Sequence, residues 1–297
     1  TGEEIKKYLG TYFPRSYAES FCIFDNIFQN NVYQEIIANF KTLSILSVGC
    51  GTGGDLIGLL TAIEKHLPFV TEVYILAIDG NYDALKILEQ IIDRVQNQSS
   101  KKFNLKTKQT VFSNISEFLI ENEFSKNFDF ILSFKFVCEI ISMGKGQLDN
   151  SYYDFVMKFL PLLSENGLCI LLDVTTKPKH TTYNPILMNK QVNQALNELQ
   201  NYSTLIPTPC SKYSKICNYD CFHQKTFTVT HSKHSNDKSR VAYRVLVSQQ
   251  LKKKINLNVK NSKQLINSEK ICPFTEKGMF TLDAYLLNSN NQNGVLK

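Results

Sequence analysis

The chain has 297 residues, of which 43% are hydrophobic and 20% charged, with a formal net charge of +6. Those values suit a globular protein of one large domain with additions or two small ones, and they argue against a disordered or collagen-like chain. No apolar run reaches the roughly 18 residues that a membrane helix needs, and the densest, 128–141, is broken by Asp129, Lys135 and Glu139.

Taken in chain order, residues 4–40 read as helical. Tyr17, Phe21, Phe24 and Phe28 recur at three- and four-residue spacing, and Val32, Ile36, Ile37 and Phe40 resume the stripe after a polar break. Leu43–Val48 is an apolar run of strand length that ends in glycines, and Asp55–Lys65 is an amphipathic helix. Val70–Ile78 reads as a second strand and Tyr82–Val95 as a second helix. A polar loop over Gln96–Lys102 precedes a short third strand at Thr110–Phe112 and a short helix at Ile115–Asn122. Phe128–Phe134 is the fourth strand, Tyr152–Leu163 a helix stopped by Asn166-Gly167, and Leu168–Val174 the fifth strand. Strands alternating with helices imply βαβ units and a parallel sheet.

Beyond Val174 the pattern changes. A basic, threonine-rich loop leads to a helix at Asn189–Asn201 and then to a loop, Thr204–His223, that holds three cysteines. Thr226–Thr230 and Val241–Ser248 read as an antiparallel pair closing the sheet, joined by a polar stretch. Lys252 to Lys254, with Lys260, Lys263 and Lys270, make a basic segment that reads as a solvated face or a phosphate-tracking one, and 288–293 as a disordered tail. The expected division is a helical cap over 1–40, a main domain over 41–250 and an extension over 251–297.

The chemistry concentrates at Ser47-Val48-Gly49-Cys50-Gly51-Thr52-Gly53-Gly54-Asp55, where a buried strand turns through glycines into a helix. Backbone without Cβ atoms lets a ligand approach, and the free N–H groups of the helix start suit a polar or anionic group. Gly49, Gly51 and Gly53 spell G-x-G-x-G, but Gly49, Gly51 and Gly54 also satisfy the dinucleotide pattern G-x-G-x-x-G. Asp79, followed by Gly80, ends the second strand, where a carboxylate can accept two ribose hydroxyls under either reading.

The wider pattern, over about residues 15–250, resembles the class I S-adenosylmethionine-dependent methyltransferases. A helical lead-in precedes the first strand, and Ser113-Asn114 follows the expected third. Phe128-Asp129 opens the fourth, Leu163-Ser164-Glu165-Asn166-Gly167 precedes the fifth, and an antiparallel pair closes the sheet. The resemblance implies an α/β fold, a seven-stranded Rossmann-like methyltransferase sandwich whose mostly parallel sheet ends in a C-terminal antiparallel hairpin beneath a helical N-terminal cap. It implies S-adenosylmethionine as cofactor, bound by Ser47, Gly49, Cys50, Gly51, Gly53, Asp79, Gly80, Ser113, Asn114, Ser133 and Phe134. Lys135 and Phe136 would line the transfer site, on RNA or a small molecule. A monomer without membrane attachment is expected. Four cysteines in apolar or glycine-loop contexts (Cys22, Cys50, Cys138, Cys169) point to a reducing, cytoplasm-like compartment.

Two departures stand out. The family carries an acid where this chain has Ser47; Asp55 either replaces that charge or serves only as a favourable charge at a helix start, the reading preferred on sequence. The fourth strand ends in Ser133-Phe134-Lys135-Phe136, without the Asn/Asp-Pro-Pro-aromatic pattern of base-amino methylation, and Val137 precedes Cys138 where cytosine C5 enzymes have proline. Finally, Cys210, Cys217, Cys221 and His223, followed by Ser239 to Arg244, are distantly similar to a methyltransferase-like family that assists small ribosomal subunits, some of whose members bind an iron–sulfur cluster. That similarity implies the alternative of a non-catalytic assembly or binding protein with Cys210, Cys217, Cys221 and His223 as weak metal ligands.

Overall fold

A computed structural model describes residues 8–111, 115, 127–143, 150–175, 184–206, 225–231, 234–255, 257–264 and 280–286. After a wide helical turn, Tyr8–Tyr12, the elements run α1 (Phe13–Phe28), α2 (Asn31–Ile37), β1 (Thr42–Val48), α3 (Gly54–His66), β2 (Glu72–Asp79), α4 (Tyr82–Gln96) and β3 (Lys102–Gln109). There follow β4 (Phe128–Phe134), α5 (Val137–Met143), α6 (Ser151–Phe159), β5 (Leu163–Val174), α7 (Asn184–Glu198) and β6 (Tyr202–Ile206). The last described elements are β7 (Lys225–His231), β8 (His234–Ser248), α8 (Gln249–Lys254) and a separate two-stranded sheet of β9 (Leu257–Gln264) and β10 (Phe280–Leu286).

The main sheet runs β3-β2-β1-β4-β5-β8-β6, with β7 attached to β8 as an eighth strand. Strands β1 to β5 are mutually parallel, and β8 runs antiparallel to β5, β6 and β7. Chain order reverses between β1 and β4: β2 and β3 build outward on one side, and β4 returns to the other. An open parallel sheet binds its ligands at such a switch point, outside the carboxyl ends of the strands.

Two cores flank the sheet. On one face Ile23, Phe24, Ile27 and Phe28 of α1 pack with Leu56, Leu59, Leu60 and Ile63 of α3 against Ile45, Phe130 and Ile170. Residues expected as a cap thus share the core of the sheet. Close approach of α1 and α3 depends on two glycines: a Cβ at Gly54 would lie 2.6 Å from the Phe13 carbonyl, and one at Gly58 2.5 Å from that of Tyr17. On the other face Tyr152, Phe155 and Phe159 of α6 and Val192 of α7 cover Val48, Ile131 and Leu171.

Four sequence expectations are corrected. The third strand is Lys102–Gln109, between the loop expected at Gln96–Lys102 and the strand expected at Thr110–Phe112; it is the sheet edge, with no fully buried residue, so it lacks the apolar run used to find strands. Tyr202–Ile206, expected to begin the cysteine loop, is a strand, and the helix before it runs over Asn184–Glu198. The polar stretch before Arg240 is strand as well, because β8 begins at His234. The sheet therefore has eight strands, not seven. The helix expected at Ile115–Asn122 lies largely outside the described residues, as does the tail at 288–293.

Candidate active site

A cavity of about 280 Å³ opens at the carboxyl ends of β1, β2, β4 and β5. Its floor is the glycine loop, whose three glycines all hold left-handed backbone, with φ of 71° at Gly49, 51° at Gly51 and 83° at Gly53. The reasons differ. A Cβ at Gly49 would sit 2.3 Å from the Phe136 ring, and one at Gly53 2.3 Å from Leu88. At Gly51 a Cβ would meet only the Tyr8 ring, at 3.9 Å, so this glycine alone of the three opens onto free space. The loop is tied to β2 by Gly49 and Cys50 N–H groups donating to the Ile78 carbonyl at 2.8 and 3.1 Å.

Asp79 closes the same end. Its carboxylate accepts from the Gly51 N–H at 2.7 Å and the Asn81 N–H at 2.8 Å. Burial raises its pKa, and those two donors oppose the rise. Each oxygen spends one acceptor position on backbone and keeps capacity for a further donor.

Asp55 is buried in the first turn of α3, lines the cavity and accepts from the Ser47 hydroxyl at 2.8 Å. Burial pushes its carboxyl up to about 6, against the opposing effect of that hydrogen bond. Ser47 and Asp55, eight residues apart in the chain, thus meet as a buried hydroxyl–carboxylate pair at the cavity.

The opposite wall comes from β4 and α5. Phe134, Lys135, Cys138 and Glu139 line it, with Val174 at the end of β5. Lys135 has φ 61°, unusual for a residue with a Cβ. Its side chain is 13% exposed, and Nζ lies 2.7 Å from the wholly buried carboxylate of Glu19 in α1. Glu19 also accepts from the Ser239 hydroxyl, and nearby Arg15 makes a two-pronged bond to Asp237 of β8. Behind this wall, buried Asp173 accepts from the Cys138 N–H at 2.9 Å and the Tyr152 hydroxyl at 3.0 Å; burial raises its carboxyl to about 6. Glu139 is exposed at the mouth of the cavity, and partial desolvation with the negative charges of Asp79 and Asp173 raises its carboxyl. The Cys50 and Cys138 thiols are both raised by burial and are not nucleophilic thiolates. Tyr8, Tyr12, Phe13 and Ser16 form the roof.

Of the residues expected from sequence, Gly49, Cys50, Gly51, Asp79, Phe134 and Lys135 line this cavity, and Ser47 reaches it through Asp55. Gly53, Gly80, Ser133 and Phe136 do not line it; Phe136 supports Gly49 from behind, and Ser133 is buried in β4. Ser113 and Asn114 lie outside the described residues, as do Cys210, Cys217, Cys221 and His223. Among the described residues no group of three or more histidine, cysteine or acidic side chains is placed to hold a metal, and no helix is long and apolar enough to cross a membrane. Sequence reading passed over Glu139, Asp173 and the roof. A carboxylate ending the apolar strand Leu168–Val174 was the available signal for Asp173.

No protein-family model and no curated protein sequence matches the chain. Similarity appears among solved structures. The plantazolicin methyltransferase BpumL, in complex with a monoazolic desmethylPZN analog and SAH, is 14% identical, with a TM-score of 0.43 over 83% of this chain and 89% of that one. TrmN from Thermus thermophilus is 15% identical (TM-score 0.37), over 73% of this chain and 47% of its own length. Precorrin-6y C5,15-methyltransferase from Geobacter metallireducens is 12% identical (TM-score 0.36), over 72% of this chain and 84% of that one. The mostly parallel sheet, its reversal between β1 and β4 and the antiparallel strand inserted beside β5 make this a Rossmann-like α/β fold.

Proposed function

We propose that the chain is a methyltransferase that binds S-adenosylmethionine between the glycine loop and the β4–α5 wall, and transfers its methyl group to an RNA or small-molecule acceptor. The observation that carries this reading is Gly51, a left-handed glycine open to the cavity whose N–H is held by the Asp79 carboxylate. A side chain there would fill the cradle, and Asp79 keeps acceptor capacity facing the same space.

The residues fit the group. Asp79 would accept the ribose hydroxyls, and the loop around Gly51 and Thr52 would receive the backbone-hugging part of the ligand. The Ser47–Asp55 pair would offer negative charge to an ammonium group. Phe13, Phe134 and Val174 exclude water, and the tyrosines of the 8–12 turn cover the loop. When bound, S-adenosylmethionine supplies an electrophilic methyl group. Transfer then needs chiefly alignment and dryness, so the protein contributes by holding two reactants in line. Glu139, exposed on this wall with its carboxyl raised, is the group placed to exchange a proton with an acceptor.

Isothermal titration with S-adenosylmethionine and with NADH tests the reading. Binding of the first and not the second is expected. Asp79→Asn should weaken it about tenfold or more, the scale of losing hydrogen bonds to a charged acceptor, with the thermal melt retained. Binding of neither ligand by the wild-type chain, or unchanged affinity in Asp79→Asn, refutes the assignment.

A further inference from the structure

Resting on the methyltransferase reading, we propose that Arg15 and Asp237 act together as positioning residues: their ion pair ties the roof of the cavity to the β7–β8 hairpin, so that a contact outside the cavity sets how tightly the ligand is held. Tyr12, Phe13 and Ser16 line the roof, and Arg15 stands among them without lining the cavity itself. This is the half of α1 with the least hold on the interior. Every fully buried residue of α1 comes at or after Glu19, and the turn Tyr8–Tyr12 has none. Backbone packing on Gly54 and Gly58 sets how closely α1 approaches α3. The ion pair sets where its first turns rest against β8.

The geometry of the tie is specific. Nε and Nη2 of Arg15 donate to the two carboxylate oxygens of Asp237 at 2.5 and 3.0 Å, a fork that fixes direction as well as distance. Asp237 is itself held on the hairpin: it stands opposite Val229 of β7, its side chain is 13% exposed, and Oδ2 lies 3.1 Å from Nε2 of His231. Four residues along α1, Glu19 accepts from Ser239, two residues along β8. Four helical residues advance about 6 Å and two strand residues about 6.6 Å, so the two ties run in step along the two elements. A roof held in place before the ligand arrives spares the ligand the cost of ordering it. When the roof is in place only part of the time, affinity falls by that fraction.

The test is isothermal titration of the full chain with S-adenosylmethionine, using wild type, Arg15→Gln, Asp237→Asn and the double variant, with urea unfolding to check that each is folded. Each single variant should bind about fivefold more weakly, the scale of one partly exposed ion pair, and the double variant no more weakly than either. Arg15→Lys, which keeps the charge but makes one bond in place of two, should recover part of the loss. In a Tyr12→Ala background, where the roof has lost a ring, Arg15→Gln should add little; full additivity there overturns the proposal. Tighter binding by Asp237→Asn overturns it as well, because it would mean that a freed Arg15 acts on the ligand directly. Wild-type affinity in both folded single variants overturns this proposal while leaving the methyltransferase reading intact. Failure of the wild type to bind S-adenosylmethionine overturns both.

Discussion

The glycines of the loop invite a comparison that separates folding from binding. Replacing either Gly49 or Gly51 by alanine places a Cβ in left-handed backbone, at φ 71° and 51°. That costs roughly 1–2 kcal/mol, partly offset by about 0.4–1 kcal/mol from a stiffer unfolded chain. For Gly51→Ala little else follows, because the added methyl meets only Tyr8 at 3.9 Å. Its expected loss is about 1 kcal/mol. For Gly49→Ala the methyl falls 2.3–2.4 Å from Cβ, Cγ and Cδ2 of Phe136. Phe136 is itself buried among Val137 and Ile140, so overpacking adds roughly 1–3 kcal/mol and the total is about 3 kcal/mol. Urea unfolding with a common slope measures both. Titration with S-adenosylmethionine should then show the reverse ranking of specific damage: the folded Gly51→Ala protein binds at least about tenfold more weakly, since its methyl occupies the cradle. Equal destabilisation by the two substitutions, or full affinity in Gly51→Ala, would refute the geometry assigned to the loop.

Two further predictions concern stability. Lys101 is 3% exposed, and its ammonium donates to the carbonyls of Leu67 and Val70 at 2.9 Å each, just beyond the end of α3. Lys101→Met strands the Val70 carbonyl, while that of Leu67 keeps the Val70 N–H at 3.1 Å, and should lower stability by about 1–3 kcal/mol in chemical denaturation, whereas a solvated lysine would give no change. Asp173 is raised to about 6 by burial, above its value in the unfolded chain. Its protonated form therefore stabilises the fold at pH below the unfolded carboxylate value, and that contribution is lost as pH rises through about 6. Asp173→Asn, which can still accept from Tyr152, should be the more stable protein at about pH 8, by about 2 kcal/mol, and should flatten the stability profile between about pH 4 and 7. A steeper profile in the variant would show that the Asp173 charge is favoured by its surroundings.

What the sequence made legible was what is local. A strand, three left-handed glycines and a helix start occupy consecutive residues, and Asp79 announces itself by ending the next buried strand, so the floor of the site could be read directly. The walls could not. Ser47 and Asp55 are separated by a turn, and only the folded loop shows that the hydroxyl and the carboxylate meet at 2.8 Å. Lys135 reads as a lone cation in an apolar run until Glu19, more than a hundred residues earlier, is found against it. The edge strand Lys102–Gln109 hid for a related reason: covered on one side by α4, it alternates weakly and carries lysines that discourage edge pairing. Its partners are also distant, with Thr107 donating to Glu89 and the Phe103 N–H to the Gln96 side chain.

The helix that precedes the sheet does more for the site than its position in the chain suggests. Gly54 and Gly58 bring α1 to backbone contact with α3, which sets Phe13 and Ser16 over the cavity. On the next turn Glu19 enters the interior with no exposure at all. A buried carboxylate is tolerated only with partners, and it takes two, Lys135 just beyond β4 and Ser239 from β8. Lys135 in turn pays in backbone strain, and its N–H is fixed to the Leu172 carbonyl at 2.7 Å. The consequence is that α1, the segment after β4 and β8 are locked at one point on the cavity wall. Lys135 is spent on that lock, at 2.7 Å from Glu19.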